Sequence, residues 1–385
     1  MWFKAADIEA SVALFHSIAV VGAGMAGLAA ARELSRHQLR VQIFDKGHRP
    51  GGRMSSRQRE HGTFDLGAQY FTARDPSFAA FTAQFERQGA VGRWPTRMGR
   101  REAGKWHFRP PSHPRFTGMP SMVALPLAMA VTLEVKSGTR VEALERENGL
   151  WTLIDQNGAR YAGFDQVVLA LPGPQARTLI APWLGDAMPC KKITAMTPTW
   201  SGWIRFATRL PSVYLSGEIG SEDAGLEASP TNASPGAEWQ AITLDDSKVL
   251  RYAARNQTRP EPGEKIRPAD KKEMDGERVS LLAGSDWSQA HLALSPEAAT
   301  EHLIDAFAAC YPKPLPHVEA CGAHRWRYAQ PAATQQTKKG YLLYPRPGLA
   351  LCGDWCLDGR IEAAWLSGTR LASALIGDSM SPVTD

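Results

Sequence analysis

Apolar residues near the start of the chain follow two different spacings in quick succession. A continuous apolar run, Ile18 to Val21, leads into an Ala/Leu-rich pattern that extends to about Arg36, and a second run, Val41 to Phe44, follows. Short continuous runs are typical of strands buried on both faces, and the pattern between them has the period of a helix. The sequence therefore predicts a strand–helix–strand unit, which is the building block of a parallel sheet.

The turn between the first strand and the helix carries three glycines, Gly22, Gly24 and Gly27, in the spacing GxGxxG. The first allows a tight turn, the second lets the backbone approach a pyrophosphate, and the third lets helix and strand pack closely. The phosphates would lie at the N-terminus of the helix, where N–H groups are unpaired. Asp45, 21 residues after Gly24, lies where a carboxylate would accept hydrogen bonds from a ribose. The unit predicts a dinucleotide-binding, Rossmann-like fold.

Two further segments resemble the FAD-dependent amine oxidase superfamily. One is the glycine pair followed by arginine, Gly51-Gly52-Arg53; the other is the distant pair Gly353-Asp354 with the helix pattern that follows Arg360. In that superfamily the Gly-Asp pair holds the ribityl chain and the helix N-terminus faces the flavin pyrimidine, so the resemblance implies FAD. The cofactor-binding residues implied are Gly22, Gly24, Met25, Ala26, Gly27, Asp45, Lys46, Gly52, Arg53, Met54, Leu66, Gly67, Ala68, Val141, Gly353, Asp354, Glu362, Ala363 and Ala364.

The remaining patterns predict an α/β protein in which a Rossmann-like FAD-binding domain of the p-hydroxybenzoate hydroxylase/amine oxidase type is assembled from separate segments. A β-meander is predicted over 132–171, with turns at Asn148-Gly149 and Asn157-Gly158. An α+β substrate domain, a mixed β-sheet with helices, accounts for the rest. The predicted segments are 17–74, 132–182 and 320–377 for the FAD-binding domain, 75–131 and 183–319 for the substrate domain, and 1–16 for an N-terminal extension.

Within the substrate domain, phenylalanines at 78, 81 and 85 and the stretch after Ser295 have helical spacing. Polar tracts interrupt this domain at 216–236 and 258–276, and the second, rich in Pro, Lys and Glu, predicts an exposed insertion. The predicted strands are Ser201 to Ala207, Trp239 to Leu244, Leu250 to Ala254 and Val279 to Ala283.

Composition narrows the class of partner. The chain has 385 residues, 43% of them hydrophobic and 22% charged, and a net charge of +5. Its basic residues are scattered and form no stripe interleaved with aromatics, which argues against nucleic acid. The cysteines, five in number, lack zinc-like spacing and indicate reduced thiols. With neither a cleavable leader nor a continuous apolar span, the expectation is a cytoplasmic monomer or homodimer without stable membrane association.

Four segments narrow the resemblance to the renalase-like branch of the superfamily, especially its bacterial members. They are VLRYAARN from Val249, DWSQAHL from Asp286, HRWRYAQP from His324, and the Gly353-Asp354-Trp355 region. The resemblance implies an oxidase that takes a hydride from an isomeric dihydronicotinamide dinucleotide onto flavin N5 and passes electrons to O2, giving H2O2. Two departures are visible, since Asp45 replaces the commoner Glu and Ala363 stands where many relatives have Gly.

The candidate catalytic residues are His324, Trp326, Tyr328, Gln69 and Tyr70. Aromatic side chains, including Trp355, would form the walls of an apolar site, and His324 with its neighbours Arg325 and Arg327 could orient a carboxamide or phosphate. Simpler interpretations stand beside these. Alternating aromatics on a strand also suit a core, and Glu362 suits a helix cap.

Two other functions remain open from the sequence. One is an amine oxidase or desaturase that acts on an amine or a larger apolar substrate, for which MPSMVALPLAMA from Met119 is the one apolar candidate surface. The other is a non-catalytic, FAD-bound redox sensor, whose flavin no donor would reduce. Fold analogy alone does not separate the three.

Overall fold

The computed structural model describes residues 17–184, 195–213, 215, 238–261, 276–332, 337–345 and 348–380. The predicted extension 1–16, Cys190, the tract 216–236 and most of the tract 258–276 lie outside the described residues. The helices are α1 (Met25–Arg36), α2 (Pro76–Arg87), α3 (Ala124–Ala130), α4 (Gly173–Leu184), α5 (Ser285–Ala290), α6 (Pro296–Cys310) and α7 (Ile361–Met380). The strands are β1 (Ser17–Val21), β2 (Arg40–Asp45), β3 (Ser56–Arg59), β4 (Gly62–Asp65), β5 (Phe71–Thr72), β6 (Val91–Arg93), β7 (Met98–Glu102), β8 (Lys105–Phe108), β9 (Arg115–Gly118), β10 (Glu134–Ser137), β11 (Val141–Glu147), β12 (Leu150–Asp155), β13 (Arg160–Phe164), β14 (Gln166–Leu169), β15 (Met196–Phe206), β16 (Ala241–Leu244), β17 (Leu250–Arg255), β18 (Glu277–Ala283), β19 (Val318–Pro331), β20 (Leu342–Tyr344) and β21 (Leu349–Leu351).

The chain forms two compact units. Unit 1 comprises Met1–Gly52, Met129–Ala195 and Ala333–Asp385, and unit 2 comprises Arg53–Ala128 and Met196–Ala332. These boundaries differ from the predicted ones, which assign 53–74 and 320–332 to the FAD-binding domain. The strand β19 pairs along its length with β15, and the hairpin β3–β4 also lies in unit 2, so backbone pairing places both segments there.

Unit 1 is built on a six-stranded sheet in the order β10-β2-β1-β14-β21-β20, of which only β20 runs antiparallel to its neighbour. The predicted strand–helix–strand unit is confirmed as β1, α1 and β2, with Val20 paired to Ile43. One prediction was wrong in detail. The residues that follow Leu133 do not join a meander; β10 pairs in parallel with β2 through Val135 and Ile43 and extends the main sheet.

The three-stranded antiparallel sheet β11-β12-β13 is the part of the predicted meander that the structure forms. Asn148 and Gly149 connect β11 to β12 with φ of 50° and 83°, the left-handed conformation that a tight hairpin requires. Gly158, with φ of 78°, turns the chain between β12 and β13. Both hairpin predictions are confirmed.

Unit 2 is built on a seven-stranded sheet in the order β19-β15-β18-β17-β16-β7-β8. Neighbouring strands are antiparallel except β16 and β7, which are parallel. The helix α6 begins as predicted, where the Ser295 side chain accepts a hydrogen bond from the Ala298 N–H. Its Leu303 and Phe307 belong to the same buried cluster as Trp200 and Ile204 of β15, so one face of the sheet is closed by the core.

The described residues include no helix long and apolar enough to cross a membrane.

Candidate active site

Close packing in unit 1 explains two of the three motif glycines. Gly22 has φ of 110°, and a Cβ there would lie 2.5 Å from the Ala170 carbonyl oxygen. A Cβ at Gly27 would clash with the carbonyl oxygen of Gly22. Both positions therefore exclude a side chain for reasons of backbone conformation and helix–strand packing, as the motif predicts.

Gly24 is different, since a Cβ there would meet nothing within 4 Å and its φ of −79° suits any residue. It is the N-cap of α1 and offers no side chain to the first N–H groups of the helix. The Gly51 N–H donates to the Ala23 carbonyl at 2.9 Å, and Gly52 approaches Gly24 closely. The loop is an open cradle lined by helix N–H groups, the arrangement that a pyrophosphate needs.

Asp45 lies at the end of β2 as predicted, and its carboxylate is held by the backbone. Oδ2 accepts from the Ala23 N–H at 2.6 Å and Oδ1 from the Gly47 N–H at 2.6 Å. Burial raises the pKa of the carboxyl group, and the two N–H donors partly oppose that rise. Asp45 thus joins the glycine loop to the end of β2; its contact with a ribose stays a prediction.

The Gly-Asp pair lies in unit 1 directly after β21. The Gly353 N–H donates to the Ser367 hydroxyl of α7 at 2.9 Å, and that hydroxyl donates to the Gly340 carbonyl. Asp354 is buried. At the N-terminus of α7 the side chains of Glu362, Ala363 and Ala364 are buried too. The segment is fixed to the helix, as an anchor requires.

The burial and contacts of the other residues in this region indicate which of them are structural. Trp355 is buried in the core of unit 1 and donates to the Leu171 carbonyl, so it is a core residue rather than an exposed wall. Val141 is buried at the start of β11, and Lys46 is exposed. Burial raises the pKa of Cys352 to about 12 and that of Cys356 well above its ordinary value. Both remain neutral thiols, which makes them poor nucleophiles.

In unit 2 two of the candidate residues, His324 and Trp326, lie on the face of the seven-stranded sheet opposite α6. Register places Tyr252 beside Leu282, Leu282 beside Ser201, and Ser201 beside His324. Residues directly opposite each other on adjacent strands share a face. We call this surface, which carries Tyr252, Ser201, His324 and Trp326, the site face.

Trp326 is held on the site face by the segment that precedes Gln69. Its indole Nε1 donates to the Leu66 carbonyl at 2.8 Å, and a Cβ at Gly67 would lie 3.4 Å from its ring. The Ala68 N–H donates to the Arg53 carbonyl at 2.9 Å, while the Arg53 guanidinium donates to the Ala329 carbonyl. The structure thus brings Trp326 together with four predicted cofactor-binding residues of unit 2.

His324 packs edge-on against Trp326, with ring centroids 4.6 Å apart. Burial, together with the positive charges of Arg57 and Arg59 on β3, lowers the pKa of His324 to about 4. The imidazole is therefore neutral near pH 7 and is a weak base. A general base works best when its pKa is near the operating pH, so these surroundings do not favour His324 as a general base and leave the predicted orienting role.

Gln69 belongs to a buried polar network. Its amide nitrogen donates to the Asp65 carbonyl at 2.6 Å, and its amide oxygen accepts from Arg259 at 3.0 Å. Arg259 also forms an ion pair with the Asp65 carboxylate at 3.1 Å and stacks 4.0 Å above the Trp94 ring. Since both ends of the amide are engaged by protein groups, Gln69 holds its segment in place, and contact with a substrate is not visible.

The remaining predicted residues of unit 2 do not share one location. Tyr70 lies 6.2 Å from Tyr252, ring to ring. Tyr328 is half-buried within an irregularity of the β15–β19 pairing, so alternation does not assign it a face. Arg325 stacks on Trp200 and donates to the Leu292 carbonyl on the α6 side of the sheet, which removes it from the site face. Arg327 is exposed, and Met54 is buried.

Sequence reasoning missed several residues of the site face and its surroundings. Arg259 holds Gln69, the ring of Trp203 packs at a tilt against that of Phe64 with centroids 5.0 Å apart, and Arg57 lies near His324. No motif marks these positions, because they are distant in sequence and are brought together only by the fold. The alternation of β15 could have identified Trp203, since Trp200 and Trp203 fall on opposite faces.

Comparison with known proteins identifies the family. A family model described as flavin containing amine oxidoreductase matches residues 78–376, and one described as an NAD(P)-binding Rossmann-like domain matches residues 20–85. The first match spans well over half of the chain. The chain belongs to the flavin containing amine oxidoreductases. The α/β fold class with a Rossmann-like domain is confirmed, and the protein is an FAD-dependent oxidoreductase.

FAD is the cofactor of this amine oxidoreductase. The open cradle at Gly24, the uncapped start of α1 and the fixed Gly353-Asp354 segment fit a dinucleotide of this kind. The individual cofactor-binding residues in the two units stay predictions.

Solved structures share the fold. A putative protoporphyrinogen oxidase from Exiguobacterium sp. 255-15 is 13% identical with a TM-score of 0.65, covering 93% of this chain and 98% of that one. Putrescine oxidase bound to putrescine is 12% identical with a TM-score of 0.61, covering 94% and 99%. Identities this low show the fold alone.

A curated relative in sequence is a 4,4'-diapophytoene desaturase of Staphylococcus haemolyticus (strain JCSC1435). It is 43% identical over 72 residues, which is 19% of this chain and 14% of the desaturase. The aligned region is thus a small part of both proteins.

Proposed function

We propose that this amine oxidoreductase is an oxidase of the renalase-like branch. Its donor is an isomeric dihydronicotinamide dinucleotide, which loses a hydride and becomes the oxidised coenzyme. The two electrons pass to O2, giving H2O2. When bound, FAD supplies the hydride acceptor and the route to oxygen.

One observation carries this proposal: the positive charges beside His324 on the site face. Arg57 and Arg59 are exposed, and neither forms an ion pair within 4.0 Å with a carboxylate of the described residues. Such a field attracts a phosphate-bearing donor and repels a protonated amine. Charge therefore favours a dinucleotide over a cationic polyamine.

The neutral imidazole supports the same donor class. A dihydropyridine already carries the hydride that it gives up, and no proton has to be removed by a strong base first. His324, with its pKa lowered to about 4, can offer a hydrogen bond from a neutral ring. Trp326 supplies a flat apolar wall next to it, fixed by its bond to the Leu66 carbonyl. These residues orient the donor and exclude water.

The alternative is an amine oxidase or desaturase. The likeness in fold to putrescine oxidase and the short alignment with a diapophytoene desaturase support it. A diamine such as putrescine is protonated in solution, and the cations beside His324 repel it as it approaches, which counts against this alternative. An apolar substrate would need an apolar binding surface, whereas the site face carries the polar residues Ser201 and His324.

The experiment is anaerobic mixing of the FAD-loaded enzyme with the dihydronicotinamide dinucleotide isomers, with putrescine as the competing donor. Loss of flavin absorbance with an isomer, and its return with H2O2 on admitting air, is the expected result. Reduction by putrescine but by no isomer would overturn the proposal in favour of an amine oxidase. An unchanged flavin with every isomer and with putrescine would reject both donors.

A further inference from the structure

Near the Tyr252 end of the site face, on a separate three-stranded sheet, lies a buried cation that no described carboxylate pairs with. Arg115 on β9 is 9% exposed, and among the residues that the structure describes no carboxylate lies within 4.0 Å of its guanidinium. Its Nη1 is buried and makes no hydrogen bond with any described residue. A buried charge without a partner is costly, and proteins ordinarily pair it. The nearby Arg259 shows the ordinary case, since it is paired with Asp65.

A second polar group lies unpaired in the same place. The Tyr252 side chain is 5% exposed, and its hydroxyl has no hydrogen-bond partner among the described residues. Tyr70 joins the two, because its ring is 6.2 Å from that of Tyr252 and 5.7 Å from the Arg115 guanidinium carbon. The Arg115 guanidinium and Tyr252 therefore both lie next to Tyr70, whose side chain also interacts with the guanidinium and leaves its Nη1 without a partner.

The surroundings of these donors are apolar. Tyr252 packs in a small buried cluster with Trp94, Met98, Ala241 and Ala254, against which Tyr70 also packs. Burial raises the pKa of Tyr252, so its phenol keeps its proton and can donate. Burial lowers the pKa of Arg115, an effect that Tyr70 and Tyr252 partly oppose. A guanidinium in an apolar setting binds an oxyanion more strongly than it would in water.

We propose that Arg115 and Tyr252, with Tyr70 beside them, form an oxyanion-binding subsite that holds a carboxylate or phosphate of the donor. Three strand spacings separate Tyr252 from His324 along the cross-strand row, which is roughly 14 Å. The subsite is thus separate from the His324–Trp326 pair and selects donors that carry an anionic group at a distance from the reacting carbon. It goes beyond the proposed function, because a subsite of this kind does not require the donor to be a dihydronicotinamide.

The test measures anion binding to the oxidised, FAD-loaded enzyme by calorimetry, with no turnover involved. The probes are benzoate, phenyl phosphate and benzyl alcohol, which share a ring and differ in the polar group. We expect the enzyme to bind an anionic probe and to bind benzyl alcohol much more weakly. Tighter binding of benzoate would assign the subsite to a carboxylate, and tighter binding of phenyl phosphate would assign it to a phosphate.

Single variants test whether anion binding depends on the subsite residues or only on the net charge of the protein. Tyr252→Phe should weaken binding of the anion about tenfold, the size of a hydrogen bond to a charged group. Its thermal midpoint should not fall, because the lost hydroxyl has no described partner. Arg115→Gln should weaken binding by at least tenfold, and should abolish the preference for the anions over benzyl alcohol. Arg109→Gln is the control, since Arg109 is exposed and close enough to affect the pKa of Arg115; it should leave affinity within about twofold.

Anion affinity that is equal in the parent enzyme and in Tyr252→Phe would overturn the proposal, as would a parent enzyme that binds none of the anions. If Arg115→Gln does not fold, the Tyr252→Phe result still decides. Anion binding that follows these variants, in an enzyme whose flavin no dihydronicotinamide isomer reduces, would leave the subsite standing and reject the proposed donor.

Discussion

The guanidinium of Arg259 lies 3.1 Å from the carboxylate of Asp65, and both side chains are almost completely buried. Asp65 also accepts from the Ser56 hydroxyl and from the Met122 N–H. Through Arg259 the pair reaches Gln69, the residue before Tyr70. A buried ion pair thus fixes the segment from which Tyr70 reaches the site face.

Breaking this pair should destabilise unit 2. Arg259→Met leaves the Asp65 carboxylate buried without its cation, and we expect the free energy of unfolding to fall by about 3–5 kcal/mol. Urea unfolding of the FAD-loaded protein measures the change. Arg93→Met is the matched control, because Arg93 is exposed and its ion pair with Glu86 is long, at 3.6 Å; that change should cost less than about 1 kcal/mol. An Asp65→Asn, Arg259→Met double variant should recover part of the loss, and equal losses in the single and double variants would contradict the argument.

A substitution at Gly24 should weaken FAD binding and leave the stability of the fold almost unchanged. A methyl group at Gly24 meets no protein atom, so Gly24→Ala should change the free energy of unfolding of the FAD-free protein by only about 0.5 kcal/mol. The same methyl group would enter the space where a pyrophosphate approaches the backbone, and FAD should bind at least about tenfold more weakly. Fluorescence titration with FAD measures the affinity.

Two other glycine variants serve as controls for the Gly24→Ala result. Gly27→Ala should disrupt folding, because the new Cβ clashes with the Gly22 carbonyl oxygen. Gly377→Ala, in α7, adds a methyl group that touches nothing within 4 Å and should leave FAD affinity unchanged. An unaltered FAD affinity in Gly24→Ala would mean that the pyrophosphate does not pass this residue.

His324 should make folding stability depend on pH in a defined window. Because its folded pKa is lowered to about 4 from an ordinary value near 6.5, the unfolded chain binds the proton first as pH falls. The stability associated with the neutral ring is therefore complete above pH 6.5 or so and is lost progressively as the pH falls towards 4. His324→Gln should lack this loss.

The measurement is the difference in unfolding free energy between the parent protein and His324→Gln across this range. The difference should be constant above the window and should move in favour of the variant within it. Arg57→Gln removes one of the two charges that lower the pKa of His324, so it should narrow the window. A difference that does not vary with pH would show that His324 is not shifted.

The charge of β3 should select the donor. Removing both cations in an Arg57→Gln, Arg59→Gln variant should lower kcat/KM for a dihydronicotinamide dinucleotide severalfold at low ionic strength, and added salt should shrink the effect. Arg36→Gln, at an exposed position of α1 in unit 1, is the control for net charge. Initial rates of peroxide release at several salt concentrations provide the measurement. Rates that fall equally in both variants would assign the effect to total charge.

The sequence predicted the nucleotide-binding unit well because its physics is local. The glycine spacing, the strand run before it and the Ala/Leu helix after it lie within one continuous stretch, so β1, α1 and β2 were predictable to within about two residues. The hairpin at Asn148-Gly149 was predictable for the same reason, since left-handed backbone conformations have a strong residue preference.

The site face was predictable only in part. Trp326 and His324 were identified as candidate site residues, but Arg259, Tyr252 and Arg57 come from distant elements and are brought to this region only by the fold. The predicted domain boundaries differ from the compact units for a related reason. The segment 320–332 was assigned to the FAD-binding domain, whereas its strand hydrogen bonds are with β15, which lies more than 100 residues earlier.

Successive side chains of β19 point to opposite faces of the sheet, and this limits which sequence changes can alter the site face. Arg325 stabilises the side of the sheet that α6 closes, while His324 and Trp326, its immediate neighbours, face the opposite way. Under the proposed function, substitutions at positions 324 and 326 would alter donor preference while the packing of Arg325 on the α6 side stays intact. Insertion of a single residue before His324 would do the reverse, because every side chain downstream would exchange faces and a cation would enter the place of an aromatic ring. A new donor specificity can therefore arise in β19 by substitution of residues, whereas an insertion or deletion would disrupt the faces of the strand.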